Sequence, residues 1–175
     1  MTLGNKASTG KVTLKWAAVD GATKYEVWRA TGSKGTYTKI FTTKYTNVIN
    51  TTSKAGYTYY YKVKAICDTN TDANSGFSSA KYRVCDCAAP VIKASLNNGK
   101  PMLTWDKVDG ATSYVVYRAT TANGTYSKLY TTGGTSMTNT SAVSGKTYYY
   151  KVVAVSSRTS AADSAYSNVV HILSK

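Results

Sequence analysis

Few side chains in this 175-residue sequence are of a type that does acid–base, nucleophilic or metal chemistry. There is one histidine, His171, with three cysteines and eight carboxylates. A nucleophile needs a base positioned beside it, and no Cys, Ser or carboxylate motif accompanies His171. Asp20 and Asp109 each precede a glycine and read as turn residues, not as a paired acid and base. The stretch from Asp68 to Gly76 alternates oxygen-bearing side chains like the opening of a calcium loop. An EF-hand loop requires Gly at its sixth position and Glu at its twelfth, and Ala73 and Ser79 stand there. A polar loop is the expectation, with no metal. Cys67, Cys85 and Cys87 are too spread to make a good zinc set, and their odd number argues against a disulfide framework. The chain reads as non-catalytic, with no cofactor.

The charge and the aromatics are more unusual. Lys and Arg outnumber Asp and Glu by 22 to 8, a net charge of +14, and there are 16 tyrosines. Residues 1–88 carry +8 and residues 89–175 carry +6, so the charge is a property of both halves. No basic run of five or more occurs, which argues against a specific nucleic-acid partner. A diffuse positive field still attracts polyanions, and salt screens it. No window approaches the roughly 20 apolar residues of a membrane-spanning helix, so no membrane insertion is expected. The start, Met1 to Lys6, has no apolar export core.

Self-comparison sets the organisation. Trp16-Ala17-Ala18-Val19-Asp20-Gly21-Ala22-Thr23 returns as Trp105-Asp106-Lys107-Val108-Asp109-Gly110-Ala111-Thr112, an offset of 89. Gly35-Thr36-Tyr37 returns at Gly124, and Thr58-Tyr59-Tyr60-Tyr61-Lys62-Val63 returns at Thr147, at the same offset. The register needs no gap from Gly10/Gly99 to Asp86/Lys175. A period of this length fits a whole small domain rather than a solenoid unit. The expected domains are 1–87 and 88–175. Both ends fall near repeat boundaries, so the expectation is a segment of a longer array.

Strands follow from alternation and turn residues. In the first copy they are expected at 2–5, 11–17, around 25–28, 37–42, 46–50, 57–67 and 79–84, with 68–76 as a polar loop. In the second copy the first strand is expected at 91–96. In the longest run Tyr59, Tyr61, Val63 and Ala65 face one way, and Tyr60, Lys62, Lys64 and Ile66 the other. Thr- and Tyr-rich composition suits pleated, half-buried surfaces, and no stretch has helical periodicity.

This pattern resembles the fibronectin type III domain, twice over. The carriers are Trp16 and Trp105 on the second strand, the pairs Tyr25/Val27 and Tyr114/Val116, and the series Gly56, Tyr59, Tyr61, Val63, Ala65 with its counterpart Gly145, Tyr148, Tyr150, Val152, Ala154. The local wording resembles domains found in tandem in secreted and surface proteins of Gram-positive bacteria. The resemblance implies an all-β chain of two tandem immunoglobulin-like, seven-stranded antiparallel β-sandwiches, joined head to tail. It also implies that Tyr59 and Tyr148 form a "tyrosine corner", each hydroxyl bonding the backbone across a loop. It places Cys67 and Cys85 far apart along neighbouring strands, so unbridged thiols are expected.

The resemblance makes the third and sixth strands of each copy sheet neighbours. Their outward positions hold Trp28, Tyr60, Lys62 and Lys64 in one copy, and Tyr117, Tyr149 and Lys151 in the other. Rings beside cations can stack sugars or hold a protein partner. The same residues can instead stabilise the sheet, with lysine stems packed over the rings. Three roles therefore stand open. One is a spacer or presentation module of a larger extracellular or cell-surface bacterial protein. Another is an adhesin-like module for a glycan, an anionic cell-wall polymer or a host protein. The last is an accessory domain of a carbohydrate-active enzyme. A monomer is expected in each case.

Overall fold

The structure, a computed structural model, describes residues 1–3 and 11–175. The chain divides into two compact units, Met1–Asp86 and Cys87–Lys175. The division falls one residue earlier than the repeat places it. The backbone N–H of Cys87 donates to Ala162 O at 2.8 Å, and its side chain is buried with the second unit's core.

In the first unit, β1 (Thr2–Leu3), β2 (Val12–Lys15) and β5 (Asn47–Asn50) form one antiparallel sheet. The expected first strand, 2–5, runs into residues 4 and 5, which lie outside the described ones. A second sheet has the order β4-β3-β6-β7, with β3 Lys24–Thr31, β4 Thr38–Thr43, β6 Tyr57–Ile66 and β7 Lys81–Cys85. The second unit repeats the plan. One sheet has the order β12-β9-β8, with β8 Ile92–Asn97, β9 Lys100–Trp105 and β12 Ser136–Thr138. The other has the order β11-β10-β13-β14, with β10 Ser113–Ala119, β11 Ser127–Thr132, β13 Thr147–Val155 and β14 Val170–Leu173.

Period-2 alternation delivers one face of each strand to the space between the sheets. Val12, Leu14, Tyr25, Val27, Tyr59, Tyr61, Val63, Ala65 and Cys85 form the first core. The second core holds the equivalent residues, including Leu103, Trp105, Tyr114, Val116, Tyr148, Tyr150, Val152 and Ala154. Buried tyrosines need partners for their hydroxyls, and for two of them in each unit the sandwich supplies equivalent backbone N–H groups. The Tyr59 hydroxyl accepts from the Lys54 N–H, and the Tyr148 hydroxyl from the Val143 N–H, both at 3.1 Å. Tyr25 and Tyr114 accept from the Val19 and Val108 N–H groups at 3.0 and 2.8 Å. Those N–H groups begin four-residue turns closed by Ala22 N–H to Val19 O and Ala111 N–H to Val108 O. The turns carry Gly21 and Gly110 at φ of +76° and +80°, a conformation in which only glycine avoids strain.

The last strand of each unit starts later than alternation suggests. β7 begins at Lys81 rather than Ser79 because the preceding segment does not keep a strand's stride. Ser75 and Ser78 are three residues apart, yet they meet Ala65 and Val63, which are two apart. Ser78 N–H donates to Val63 O at 2.8 Å, and its Oγ accepts from Val63 N–H at 3.0 Å. Ser75 treats Ala65 the same way, at 3.0 and 2.9 Å. Asn74 Oδ1 then accepts from Cys67 N–H at 2.8 Å. In the second unit Ser167, Ser164 and Asp163 serve Val152, Ala154 and Ser156 in the same manner. Within the expected polar loop lies a single 3-10 turn, Thr71–Ala73, capped by Asn70; Ser160–Ala162 is its counterpart.

Candidate functional site

The third and sixth strands pair along their whole length in each unit. Trp28 lies opposite Lys62, Glu26 opposite Lys64, and Tyr60 opposite Tyr82 of β7. Tyr117 lies opposite Lys151, and Tyr149 opposite His171 of β14. Alternation therefore puts all seven of the residues singled out above on the outer faces of their sheets. All seven are half-buried there rather than freely exposed.

Their neighbours account for this. The Lys62 ammonium sits 4.5 Å from the centroid of the Tyr37 ring and 5.9 Å from that of Phe77. Lys151 is held more closely, 4.3 Å from the Tyr126 ring and 3.6 Å from the Tyr166 ring. Trp28 meets Phe77 edge to face at 5.5 Å, and Tyr117 meets Tyr166 the same way at 5.4 Å. Tyr60 lies 5.4 Å from Tyr82, and Tyr149 stacks on His171 at 5.4 Å. Each lysine is a cation over ring faces, an arrangement worth about 0.5–2 kcal/mol. The two copies thus build the same tile of three strands, two loop aromatics and a lysine.

The first copy adds a charge cluster that the second lacks. Glu26 Oε1 accepts from Lys39 Nζ at 2.8 Å, and Glu26 Oε2 accepts from Trp28 Nε1 at 3.1 Å. The Lys39 bond, more than any other influence, holds the Glu26 carboxyl below the usual carboxylate range; partial burial opposes it, and the Trp28 bond and the charges of Lys39 and Lys64 assist. Val115 and Val153 replace Glu26 and Lys64 in the second unit. Burial raises the pKa of Tyr37 and Tyr126, the rings beneath the lysines, with Tyr60 and Tyr149 adding to the shift.

Six members of these tiles were not singled out from the sequence: Tyr37, Phe77, Tyr82, Tyr126, Tyr166 and His171. Phe77 and Tyr166 sit in segments that are not strands, where alternation has nothing to say. The repeat offset was the available signal, because each of the three positions holds an aromatic ring in both copies.

Other candidate chemistry is accounted for by structure. The Asp68–Gly76 loop is largely exposed, and several of its oxygens have partners in the protein: Asp68 takes Lys24 Nζ at 2.6 Å and Thr23 Oγ1 at 3.0 Å, and Asn70 caps the 3-10 turn. No group of three or more metal-ligating residues occurs among the described residues. None of the three cysteines is bridged. Cys85 ends β7, opposite Tyr57 and fully buried in the first core, where burial pushes its thiol pKa up. Cys67 lies beyond the far end of β6, and its Thr69 hydroxyl contact at 3.3 Å leads the influences that lower its pKa. The second unit has a concavity of about 520 Å³ between β11 and β12, lined by Leu129, Tyr130, Met137 and hydroxyl side chains, with no carboxylate, histidine or cysteine among its lining residues. No helix among the described residues is long and apolar enough to cross a membrane.

Comparison with known proteins adds the following. No family model matches the chain. It is 35% identical over 75 residues to an amylopullulanase of Thermoanaerobacterium saccharolyticum, a match covering 40% of this chain and 6% of the relative. It is 40% identical over 65 residues to an amylopullulanase of Thermoanaerobacter thermohydrosulfuricus, covering 37% of this chain and 4% of that one. The matched part is therefore a small fraction of either relative. Among solved structures, a two fibronectin type III domain segment from chicken tenascin matches 99% of this chain and 97% of its own, with 16% identity and a TM-score of 0.80. The chain has the fold of two tandem fibronectin type III sandwiches.

Proposed function

We propose that the chain is a non-catalytic tandem segment of a larger bacterial extracellular protein, serving as a spacer or presentation module. The observation that carries this reading is the state of the outer sheet faces. In both units the lysines are already engaged over loop rings, and Trp28, Tyr60, Tyr117 and Tyr149 each pack against a neighbouring ring, which supports a tile satisfied from within. Closed cores and sheet faces that stabilise themselves are what a module needs if its task is to hold its neighbours apart. The test is retention of the folded chain on insoluble polysaccharide and on bacterial cell-wall material. The expected result is retention that moderate salt removes, because only the diffuse charge attracts the matrix. Salt-resistant retention that Trp28→Ala with Tyr60→Ala abolishes, with the fold intact, would overturn the reading in favour of a binding module.

A second reading is supported by the two amylopullulanase matches: an accessory, non-catalytic domain of a carbohydrate-active enzyme. It differs from the first in what the neighbouring domains do, not in what this segment does. The full sequence of the parent protein decides between them, since an enzyme domain, a surface anchor or further repeats would be visible there.

A further inference from the structure

The two units differ in burial around a set of residues that they share. In the second, Trp105, Val108, Tyr114, Val152 and Ala154 belong to one buried cluster, and Cys87 is part of it. The Cys87 N–H holds Ala162 O, and Ala162 is fully buried. The equivalent residues of the first unit are Trp16, Val19, Tyr25, Val63 and Ala65. Together with Ser75, Ser78 and Met1 they line an open recess of about 300 Å³. Apart from Met1, those residue types match, while Ala17, Gly76 and Phe77, which also line the recess, stand where the second unit has Asp106, Ala165 and Tyr166; Val19 is 47% exposed where Val108 is 8% exposed. Ser75 and Ser78 are half-buried where Ser164 and Ser167 are buried, and Ala73 is exposed where Ala162 is not.

The turn that carries Val19 has the same closing bond as that of Val108, and Tyr25 holds it as Tyr114 does. Misfolding of the turn is therefore not the cause of the exposure. A further difference is the segment Cys87-Ala88-Ala89 ahead of Pro90, of which Cys87 is buried in the second unit's core and Ala88 and Ala89 are exposed. Pro90 corresponds to Met1, so these three residues correspond to positions immediately ahead of Met1.

We infer that the recess of the first unit is a seat for an extended peptide with small side chains, entering residue 1 in cis as Cys87-Ala88-Ala89 enter Pro90. Its leading N–H would donate to Ala73 O. Its leading side chain would cover Val19, Trp16 and Ala65. A small side chain is required, because the counterpart seat holds a cysteine buried to 3% exposure. Use of the seat by the connecting segment of an upstream module rests on the role proposed above; the seat itself does not.

The test adds three residues ahead of Met1 in the full chain. One variant carries Cys-Ala-Ala and a control carries Glu-Ala-Ala, whose carboxylate resists burial. Residue-resolved hydrogen exchange and thermal unfolding report on each unit. With Cys-Ala-Ala, exchange of amides bordering the recess slows and the first unit's midpoint rises by about 4–8 °C, the scale of one modest contact in a domain this size. The control gives neither effect, and the second unit is unchanged in both. No effect from Cys-Ala-Ala, or an equal effect from both prefixes, overturns the inference. Equal protection of the unextended chain by a free Cys-Ala-Ala-Pro peptide overturns the cis assignment. Stabilisation by the prefix stands whether or not the chain proves to bind a glycan, so the two readings fail separately.

Discussion

The sharpest test of the packing argument compares the same substitution in the two units. Tyr61 and Tyr150 are both fully buried, and each directs its hydroxyl at an asparagine. In the second unit Asn139 Nδ2 donates to the Tyr150 hydroxyl at 2.7 Å. In the first, Asn50 Nδ2 donates to the Tyr61 hydroxyl and to Ser53 Oγ, both at 3.0 Å, and Ser53 and Tyr61 are themselves 3.1 Å apart. Ala142 stands where the first unit has Ser53. Tyr150→Phe keeps the ring volume and leaves a buried amide N–H without that acceptor, a cost of about 1–3 kcal/mol. Tyr61→Phe leaves Asn50 with the serine hydroxyl, which can rotate to serve it, so the loss approaches that of one ordinary bond, about 0.5–1.5 kcal/mol. At roughly 4–8 °C per kcal/mol for a domain this size, the second unit should lose about twice as many degrees as the first. Urea titration of the full chain, followed through amide resonances assigned to each unit, measures both losses at once. Equal losses, or a loss in Tyr150→Phe of only a few tenths of a kcal/mol, would refute the argument.

Other consequences follow from the same geometry. Ser164→Ala and Ser167→Ala each remove an acceptor from a buried N–H and should cost about 1–3 kcal/mol; Ser75→Ala and Ser78→Ala should cost less, since water reaches those half-buried sites, and denaturant midpoints compare the four. Lys151→Gln should destabilise the second unit by about 0.5–2 kcal/mol through loss of the cation over Tyr126 and Tyr166, a loss that Lys151→Arg restores. Because the folded Glu26 has a lowered pKa, its contribution is fully present above the unfolded value of about 4.3. That contribution is lost as pH falls through the lower folded value, and Glu26→Gln should flatten this part of the first unit's acid unfolding profile. A thiol reagent should modify Cys67 in the native protein near neutral pH, while Cys85 and Cys87 react only at the rate of unfolding; mass spectrometry of the digested product reads the order.

Much of this was visible in the chain of residues, and the reason is periodicity. Alternation with a period of two gave the buried and outward faces of β3, β6, β10 and β13, because each lies within a sheet where one face must be apolar. The tyrosine corners at Tyr59 and Tyr148 were implied by the resemblance and are met by two equal hydrogen bonds. The segments from Asn74 to Ala80 and from Asp163 to Val169 were harder to read. There the serines do the pairing through side chains, at three residues for every two of the neighbouring strand. Hydrophobic alternation carries no trace of that arrangement, so it marks neither the start of β7 at Lys81 nor the place of Phe77 and Tyr166 in the outer tiles. The burial of Cys85 and Cys87 was missed for a related reason. Beside Asp86 and Ala88 they look like linker residues, and only the register with Tyr57 and the bond to Ala162 show that each belongs to a core.

The serine pairing has a consequence for a chain that contains two similar copies of one domain. A strand edge with open N–H and C=O groups invites pairing with a matching strand elsewhere, and tandem copies of similar sequence place such a strand permanently nearby, where misassembly and domain swapping are the characteristic failures. Along Val63 to Cys67 and Val152 to Ser156, donors are engaged by short side chains and carbonyls by serine N–H groups, from a segment that is not a regular strand. A neighbour's strand arriving there finds the edge already occupied, and its own regular stride cannot reproduce the three-to-two spacing that holds the serines in place. The irregular half of the last strand thus serves as a guard against strand exchange between adjacent repeats.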